Sequence, residues 1–169
     1  MRLALAAALV ATVAVSACEK SGSGTDTAAG ARAPTQGVAP AAPAPTDAEA
    51  AALLASLPAP YNTADLANGK KQFARCRSCH TLGEGQANLT GPNLYGVFGR
   101  EAGSKPDYKY SEAVANADFV WEAKHLNDWL ADPRGYLPGT KMSFAGLKDE
   151  KDRVDLIAYL KTQTGYKPA

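Results

Sequence analysis

Two cysteines three positions apart, Cys76 and Cys79, are followed directly by His80. This spacing is typical of covalent haem attachment, in which each thiol bonds to one vinyl group of the porphyrin. Side chains at i and i+3 of a helical turn lie on the same side, so both thiols can reach neighbouring vinyl groups. The imidazole of His80 would then lie under the ring, where it can ligate iron. The motif therefore predicts a domain folded around one haem.

Two other uses of a Cys-x-x-Cys pair can be weighed against the composition. A structural zinc site needs four ligands, usually two Cys/His pairs, and this chain has three cysteines and two histidines with no second pair at ligand spacing. A thioredoxin-like redox pair would lie in a βαβ pattern, and no strand-like alternation flanks residues 76–79. The redox pair remains the main alternative to haem.

Met142 is the candidate for a second iron ligand. Apart from Met1 it is the only methionine, and it lies in a segment that Pro138 and Gly139 keep extended. A thioether is a soft, neutral ligand, and paired with histidine it raises the haem potential. The rival ligand is His125, whose polar neighbours predict a solvated helix face.

The N-terminal segment predicts export. Residues 3–17 form an apolar run, shorter than the roughly 20 residues that span a bilayer and typical of a signal-peptide core. The run is followed by Cys18, as in bacterial lipoprotein signals, where the cysteine is lipidated and becomes the mature N-terminus. Cleavage after Ala17 without lipidation, or retention as an anchor helix, are the alternatives. All three place the rest of the chain on the periplasmic side of a bacterial membrane.

Residues 18–60 have the composition of a tether. They are rich in Gly, Ser, Ala and Pro, with few large apolar side chains, and such a segment cannot bury enough surface to offset its ordering entropy. As a flexible coil it would span roughly 35–40 Å. Within it, Asp47 to Leu57 could form a short helix capped by Thr46.

Residues 61–169 are predicted to form a helical domain. Gly69 interrupts the apolar face of its first helix, which predicts a close crossing with another backbone. Pro133 should end the third helix, and Gly165 the last. The predicted helices are 63–76, 111–116, 122–131 and 149–164.

The loop after the attachment motif offers a partner for His80. Proline has no N–H, so the carbonyl of Pro92 is free to accept a hydrogen bond from elsewhere. A haem-ligating histidine needs such an acceptor for its second ring nitrogen, which fixes the tautomer and raises the basicity of the ligand. A plain turn is the alternative interpretation of this loop.

These residues and their order resemble class I cytochrome c over residues 69–167, most closely the mitochondrial type and its relatives in photosynthetic and respiring bacteria. The matching stretches are CRSCHTL, TGPNLYGVFGREAG, YKYSEA, Trp121, LNDWLADP, PGTKMSF and DLIAYLK. The resemblance implies an all-α fold, with four or five helices around one covalently bound haem c and the terminal helices crossing near Gly69.

The resemblance also implies roles for individual residues. Cys76 and Cys79 would carry the thioether bonds, and His80 and Met142 would be the axial iron ligands. Further haem-binding positions are Pro92, which would accept the His80 hydrogen bond; Arg100, Tyr110 and Trp121 near the propionates; and Trp129 and Thr140 on the distal side. Trp129 stands where a tyrosine is common in the family.

The resemblance implies a one-electron carrier rather than an enzyme, and the N-terminal segment predicts that this carrier is tethered to a membrane. The protein is expected to be a monomer. By resemblance, its donor is a quinol-oxidising cytochrome bc complex and its acceptor a terminal oxidase or photosynthetic reaction centre. The net charge of +1 gives no field that would favour nucleic acid. The basic residues expected to steer docking near the haem edge are Arg75, Arg77, Lys105, Lys109, Lys141 and Lys148.

A haem peroxidase or nitrite-reducing domain, or a haem-based ligand sensor, is the alternative function. Each of these needs a vacant or labile sixth position on the iron, and the peroxidase and reductase usually also need acid/base groups beside it. Met142 is predicted to fill that position, and no second histidine is expected nearby.

Overall fold

Helices make up the regular structure of residues 42–168, the part of the chain that this computed structural model describes. They are α1 (Asp47–Ser56), a 3-10 helix (Tyr61–Thr63), α2 (Leu66–Phe73), α3 (Glu112–Ala115), α4 (Ala123–Ala131), α5 (Pro133–Tyr136) and α6 (Glu150–Gln163). Within this range there is no strand, only an isolated bridge between Glu101 and Val120. The all-α prediction is confirmed. The predicted leader, Cys18 and the tether up to residue 41 lie outside the described residues.

Side-chain caps set where most of these helices begin. Asp149 accepts a hydrogen bond from the Asp152 N–H at the start of α6, and Ser111 caps α3 in the same way. The first predicted helix begins later than expected, because Asp65 caps α2 while Thr63 belongs to the 3-10 helix before it. The one-turn helix α5 was not predicted; Asp132 caps it and Pro133 occupies its first position.

The crossing of α2 and α6 is as close as Gly69 predicted. A Cβ atom built on Gly69 would overlap the backbone carbonyl of Asp155 and lie 2.6 Å from the Cβ of Tyr159. One turn later, the rings of Phe73 and Tyr159 pack at 6.0 Å between centroids. Only glycine lets the two backbones approach this closely.

A buried carboxylate joins the same two helices. Asp155 on α6 is 1% exposed, and it accepts hydrogen bonds from Asp65 N–H (2.9 Å), Asn68 Nδ2 (2.8 Å) and Lys151 Nζ (2.6 Å). Burial alone would raise the pKa of this carboxyl, but the hydrogen bonds from Lys151, Asn68 and Asp65 outweigh it and hold the pKa below its ordinary value.

The helix α1 corrects the predicted tether. Thr46 and Glu49 form a reciprocal capping box, and α1 packs against α6 and the 3-10 helix. Ala50 and Leu57 are buried, at 6% and 3% exposure. The short helix capped by Thr46 is therefore confirmed, and only its assignment to a flexible tether is wrong, because its alanine and leucine side chains find an apolar partner in α6. No helix in residues 42–168 is long and apolar enough to cross a membrane.

Candidate functional site

A largely apolar cavity lies between α4, α6 and the long loops. It encloses about 1280 Å³ of empty space, including its open mouth. Its walls contain every described residue predicted to contact haem or iron: Cys76, Cys79, His80, Pro92, Arg100, Tyr110, Trp121, Trp129, Thr140 and Met142. The fold thus brings together residues that are up to 66 positions apart in the chain.

The attachment motif forms helical turns directly after α2. The N–H groups of Cys79 and His80 both donate to the carbonyl of Cys76, at 3.0 and 2.9 Å. Burial, and secondarily the neighbouring Cys79, raises the pKa of the Cys76 thiol to about 11, with Arg75 partly opposing the shift. A reactive redox thiol needs a lowered pKa, so the environment of Cys76 speaks against the redox-pair alternative.

The imidazole of His80 is held in one tautomer. Its Nδ1 lies 2.7 Å from the carbonyl oxygen of Pro92, and since a carbonyl can only accept, Nδ1 carries the proton and donates. Burial lowers the pKa of His80, with the Pro92 hydrogen bond acting in the opposite direction. The ring is therefore neutral with an unshared electron pair on Nε2, which is the form that ligates iron.

Met142 lies in a loop and reaches the same cavity. Its backbone N–H donates to Thr140 Oγ1 at 3.2 Å, and the Thr140 N–H donates to Leu137 O at 3.1 Å. Gly139 has a φ of 90°, in the left-handed region that favours glycine. These local bonds shape the loop, and the thioether is half-buried at the cavity wall.

Arg100 supplies a positive charge to the cavity wall. Its Nη1 donates to the Tyr95 carbonyl at 3.0 Å, and burial lowers its pKa. Among the described residues, no carboxylate forms a salt bridge with it. Nearby, Tyr110 and Trp121 also line the cavity. The guanidinium is thus available for an anionic group of a ligand, such as a carboxylate.

His125 is not on a solvated helix face as predicted. Its ring is half-buried and stacks on Phe119, with centroids 4.8 Å apart and planes 13° apart. Its Nδ1 lies 2.5 Å from the hydroxyl oxygen of Tyr136. This arrangement could not be predicted from the sequence, because Phe119 and Tyr136 come from other segments. His125 is not part of the cavity wall, so nothing supports it as a rival iron ligand.

Several of the predicted docking cations make contacts within the chain. Lys105 pairs with Asp107 at 3.0 Å, and Lys148 donates to the Ala131 carbonyl at 2.9 Å. Lys141 donates to the carbonyl of Lys109 and lies 4.5 Å from the centre of the Tyr108 ring. Of the predicted docking cations, Arg75, Arg77 and the ammonium group of Lys109 are exposed and make no such contact with the other described residues.

The residues present fit a covalently bound iron porphyrin. The cavity offers an apolar wall for the ring, two thiols on one helical turn, a neutral imidazole, a thioether and an unpaired guanidinium for the propionates. Within residues 42–168, no group of three or more His, Cys, Asp or Glu side chains converges as a metal site. The zinc alternative therefore has no support in the described part of the chain.

Comparisons with known proteins agree with this chemistry. The model of the family "Cytochrome c" matches residues 66–164. The chain is 54% identical to cytochrome c of Euglena viridis over 99 residues, which cover 58% of this chain and 96% of that protein. It is 53% identical to cytochrome c of Theileria parva over 98 residues, covering 57% and 84%.

A solved structure shows the same likeness. Cytochrome cH from Methylobacterium extorquens superposes with a TM-score of 0.55 at 44% identity, covering 59% of this chain and 99% of that one. The family match begins at α2, so α1 and all residues before it are additions to the shared domain.

Proposed function

Because this chain belongs to the cytochrome c family, we propose that it is a one-electron carrier. Members of this family carry electrons on one covalently bound haem c and are not enzymes. We further propose that the carrier is tethered to a bacterial membrane on its periplasmic side. The observation that carries the proposal is the convergence of His80 and Met142, together with both thiols, on one cavity.

Each site residue has a role in this proposal. Bound haem supplies a one-electron ferric/ferrous couple. Cys76 and Cys79 would hold the ring through thioether bonds, and His80 and Met142 would ligate the iron. If His80 and Met142 both ligate the iron, a substrate would have no place to bind on the metal, which favours a carrier over the peroxidase, nitrite-reducing and sensor alternatives.

The residues of the cavity wall would tune the reduction potential of the haem. Trp121 and Trp129 pack edge to face at 5.3 Å between ring centroids and keep water from the interior. Arg100 offsets the negative charge of the propionates, with Tyr110 beside it. Thr140 holds the backbone of Met142 through its hydroxyl. Burial and charge pairing of this kind raise the reduction potential.

We propose that redox partners dock briefly at the exposed edge next to the attachment motif. Arg75 and Arg77 are exposed there, and such encounters use small interfaces, below about 1,200 Å². The donor would be a cytochrome bc complex and the acceptor a terminal oxidase or reaction centre. Rates with a soluble partner should then fall as salt rises.

The tether is proposed to begin at a lipidated Cys18, after removal of residues 1–17. The flexible part would end at α1 rather than at Pro60, because residues 46–57 are folded against α6. Two or three acyl chains anchor a protein firmly. A tether of this kind gives an effective concentration of order mM at a neighbouring complex when its length matches the distance.

The mass of the intact protein, purified from membranes, tests the anchor and the cofactor together. The expected mass contains one haem plus acyl chains on a chain that begins at residue 18. A mass with haem and no acyl chains would reject the lipid anchor while keeping the carrier.

A second measurement separates the carrier from its alternatives. The reduced protein is mixed with carbon monoxide, and a stable spectrum is expected because Met142 blocks the iron. A rapid spectral shift would instead favour the peroxidase, the nitrite-reducing domain or the sensor.

A further inference from the structure

The pair His125 and Tyr136 connects α4 to α5. The Tyr136 hydroxyl lies 2.5 Å from His125 Nδ1, and the imidazole is stacked on Phe119 with an interplanar angle of 13°. The Tyr136 ring also packs edge-on against Phe119 at 5.8 Å and Trp129 at 6.3 Å between centroids. His125 is thus fixed on one side by Phe119 and holds Tyr136 on the other.

Tyr136 is the last residue of α5. The loop that contains Met142 follows α5 directly in the chain. A helix of one turn is not stable by itself, so the position of α5 depends on its contacts with other elements. Within residues 133–142 the backbone hydrogen bonds are local, such as Leu137 N–H to Pro133 O and Thr140 N–H to Leu137 O.

Among the described residues, two hydrogen bonds connect residues 133–142 to parts of the chain outside residues 132–142. One runs from Lys141 Nζ to the Lys109 carbonyl, through a long, exposed side chain that loses much entropy when it is fixed. The other is the half-buried bond between Tyr136 and His125. The His125–Tyr136 bond is therefore the less easily broken of the two attachments.

We propose that His125 is a positioning residue for Met142. Through its hydrogen bond with the Tyr136 hydroxyl, it fixes α5 and the loop that follows, and so keeps the thioether in place to ligate iron. The inference rests on the proposed role of Met142 as axial ligand. His125 itself does not touch the cavity and acts only through Tyr136.

The test uses the ferric holoprotein and the near-infrared charge-transfer band that methionine-sulfur ligation gives to ferric haem. The pH is raised until the band disappears, and the midpoint is compared between variants. His125→Phe keeps a ring to stack on Phe119 but removes the ring nitrogen that forms the hydrogen bond, while Tyr136→Phe removes the hydroxyl. Each variant is expected to lower the midpoint by about one pH unit. This shift corresponds to a roughly tenfold larger population of the methionine-free form, which is the size of effect expected for the loss of one hydrogen bond.

Two further variants separate positioning from general stability. His125→Asn places a side-chain amide, which can accept or donate a hydrogen bond, near the position of Nδ1 and should restore most of the wild-type midpoint. The double variant of His125→Phe with Tyr136→Phe should lower the midpoint no further than either single variant. Lys151→Ala is the control, because it removes a hydrogen bond within α6 to Asp155, the carboxylate that joins α2 to α6, and should lower thermal stability without moving the midpoint.

The proposal is overturned if both single variants keep the wild-type midpoint, or if His125→Asn behaves like His125→Phe. It is also overturned if Lys151→Ala shifts the midpoint as much as they do, since the effect would then reflect stability alone. Failure of the proposed function looks different, because the wild-type protein itself would then lack the band.

Discussion

The Nδ1 atom of His80 and the carbonyl oxygen of Pro92 lie 2.7 Å apart, joining the attachment motif to the loop twelve residues later. The loop can approach this closely because Gly91 has no side chain: a Cβ atom there would overlap the imidazole ring. Gly91 is tied to the motif a second time, through its N–H to the Cys79 carbonyl at 2.8 Å. The His80 ring is therefore oriented by a backbone carbonyl. A substitution at Pro92 would keep this carbonyl, because every residue has one.

Replacing Gly91 by alanine tests this packing. The new methyl group must displace either the His80 ring or the loop, and overpacking of this kind costs about 1–3 kcal/mol. Urea unfolding of the holoprotein measures the loss. Gly85→Ala is the matched control: Gly85 has a φ of 70° but no neighbour within 4 Å of a built Cβ, so only the backbone cost of about 1 kcal/mol is expected. Equal losses would contradict the account.

Replacing Asp155 by asparagine tests the buried carboxylate. The amide would turn an N–H₂ group toward Lys151 or Asn68, so we expect a loss of about 1–3 kcal/mol near neutral pH. The folded-state pKa of Asp155 lies below its ordinary value of 3.8. Its contribution is therefore fully present above about pH 4 and is lost as the pH falls through the folded pKa.

Acid unfolding curves of the wild type and Asp155→Asn check the pH dependence. The two proteins should differ most above about pH 4 and converge as the pH is lowered further. A difference that stayed constant through the acid range would show that the charge of Asp155 does not contribute.

Replacing Arg100 by methionine tests the charge at the cavity wall. A nearby positive charge favours the reduced form of the iron, which carries one positive charge fewer. Its removal should lower the reduction potential by on the order of tens of millivolts. A spectroscopic redox titration measures this. Arg77→Met, which removes an exposed charge, should change the potential much less because solvent screens it.

Local signals predicted what depends on a few neighbouring residues. The helix starts expected near Ser111 and Asp149 are found there, each with that residue as its cap, and Gly69 predicted the close crossing of α2 and α6. The sequence could not show what depends on distant partners. The stacking of His125 on Phe119 arises only when α4 meets an earlier loop, and Asp155 is buried only because α2 supplies donors.

The helix α1 shows the same limit, because the sequence offered the helix and its Thr46 cap while the burial of this helix depends on α6. Leu57→Ala should therefore cost about 2 kcal/mol in the free energy of unfolding, as for a buried leucine. Ala52→Ser, on the exposed side of α1, should stay within about 0.5 kcal/mol of wild type. If Leu57→Ala unfolds like the wild type, α1 does not stabilise the domain.

Lys161 on α6 gives a prediction at alkaline pH. Its side chain is buried at 5% exposure, with Nζ 4.5 Å from the centre of the Phe98 ring and 3.4 Å from that of Tyr166. Burial, partly opposed by Glu122, lowers the pKa of Lys161 from 10.5 to about 8. The charged form is then disfavoured in the folded state.

Between about pH 8 and 10.5 the unfolded chain binds more protons at this position than the folded one. The stability of the wild type should therefore rise with pH relative to Lys161→Met, which has no such group. Urea unfolding of both proteins across this range measures the difference, and other lysines cancel because both proteins contain them. If the two aromatic faces stabilise the ammonium as strongly as burial opposes it, the difference will be independent of pH, and the lowered pKa of Lys161 will be disproved.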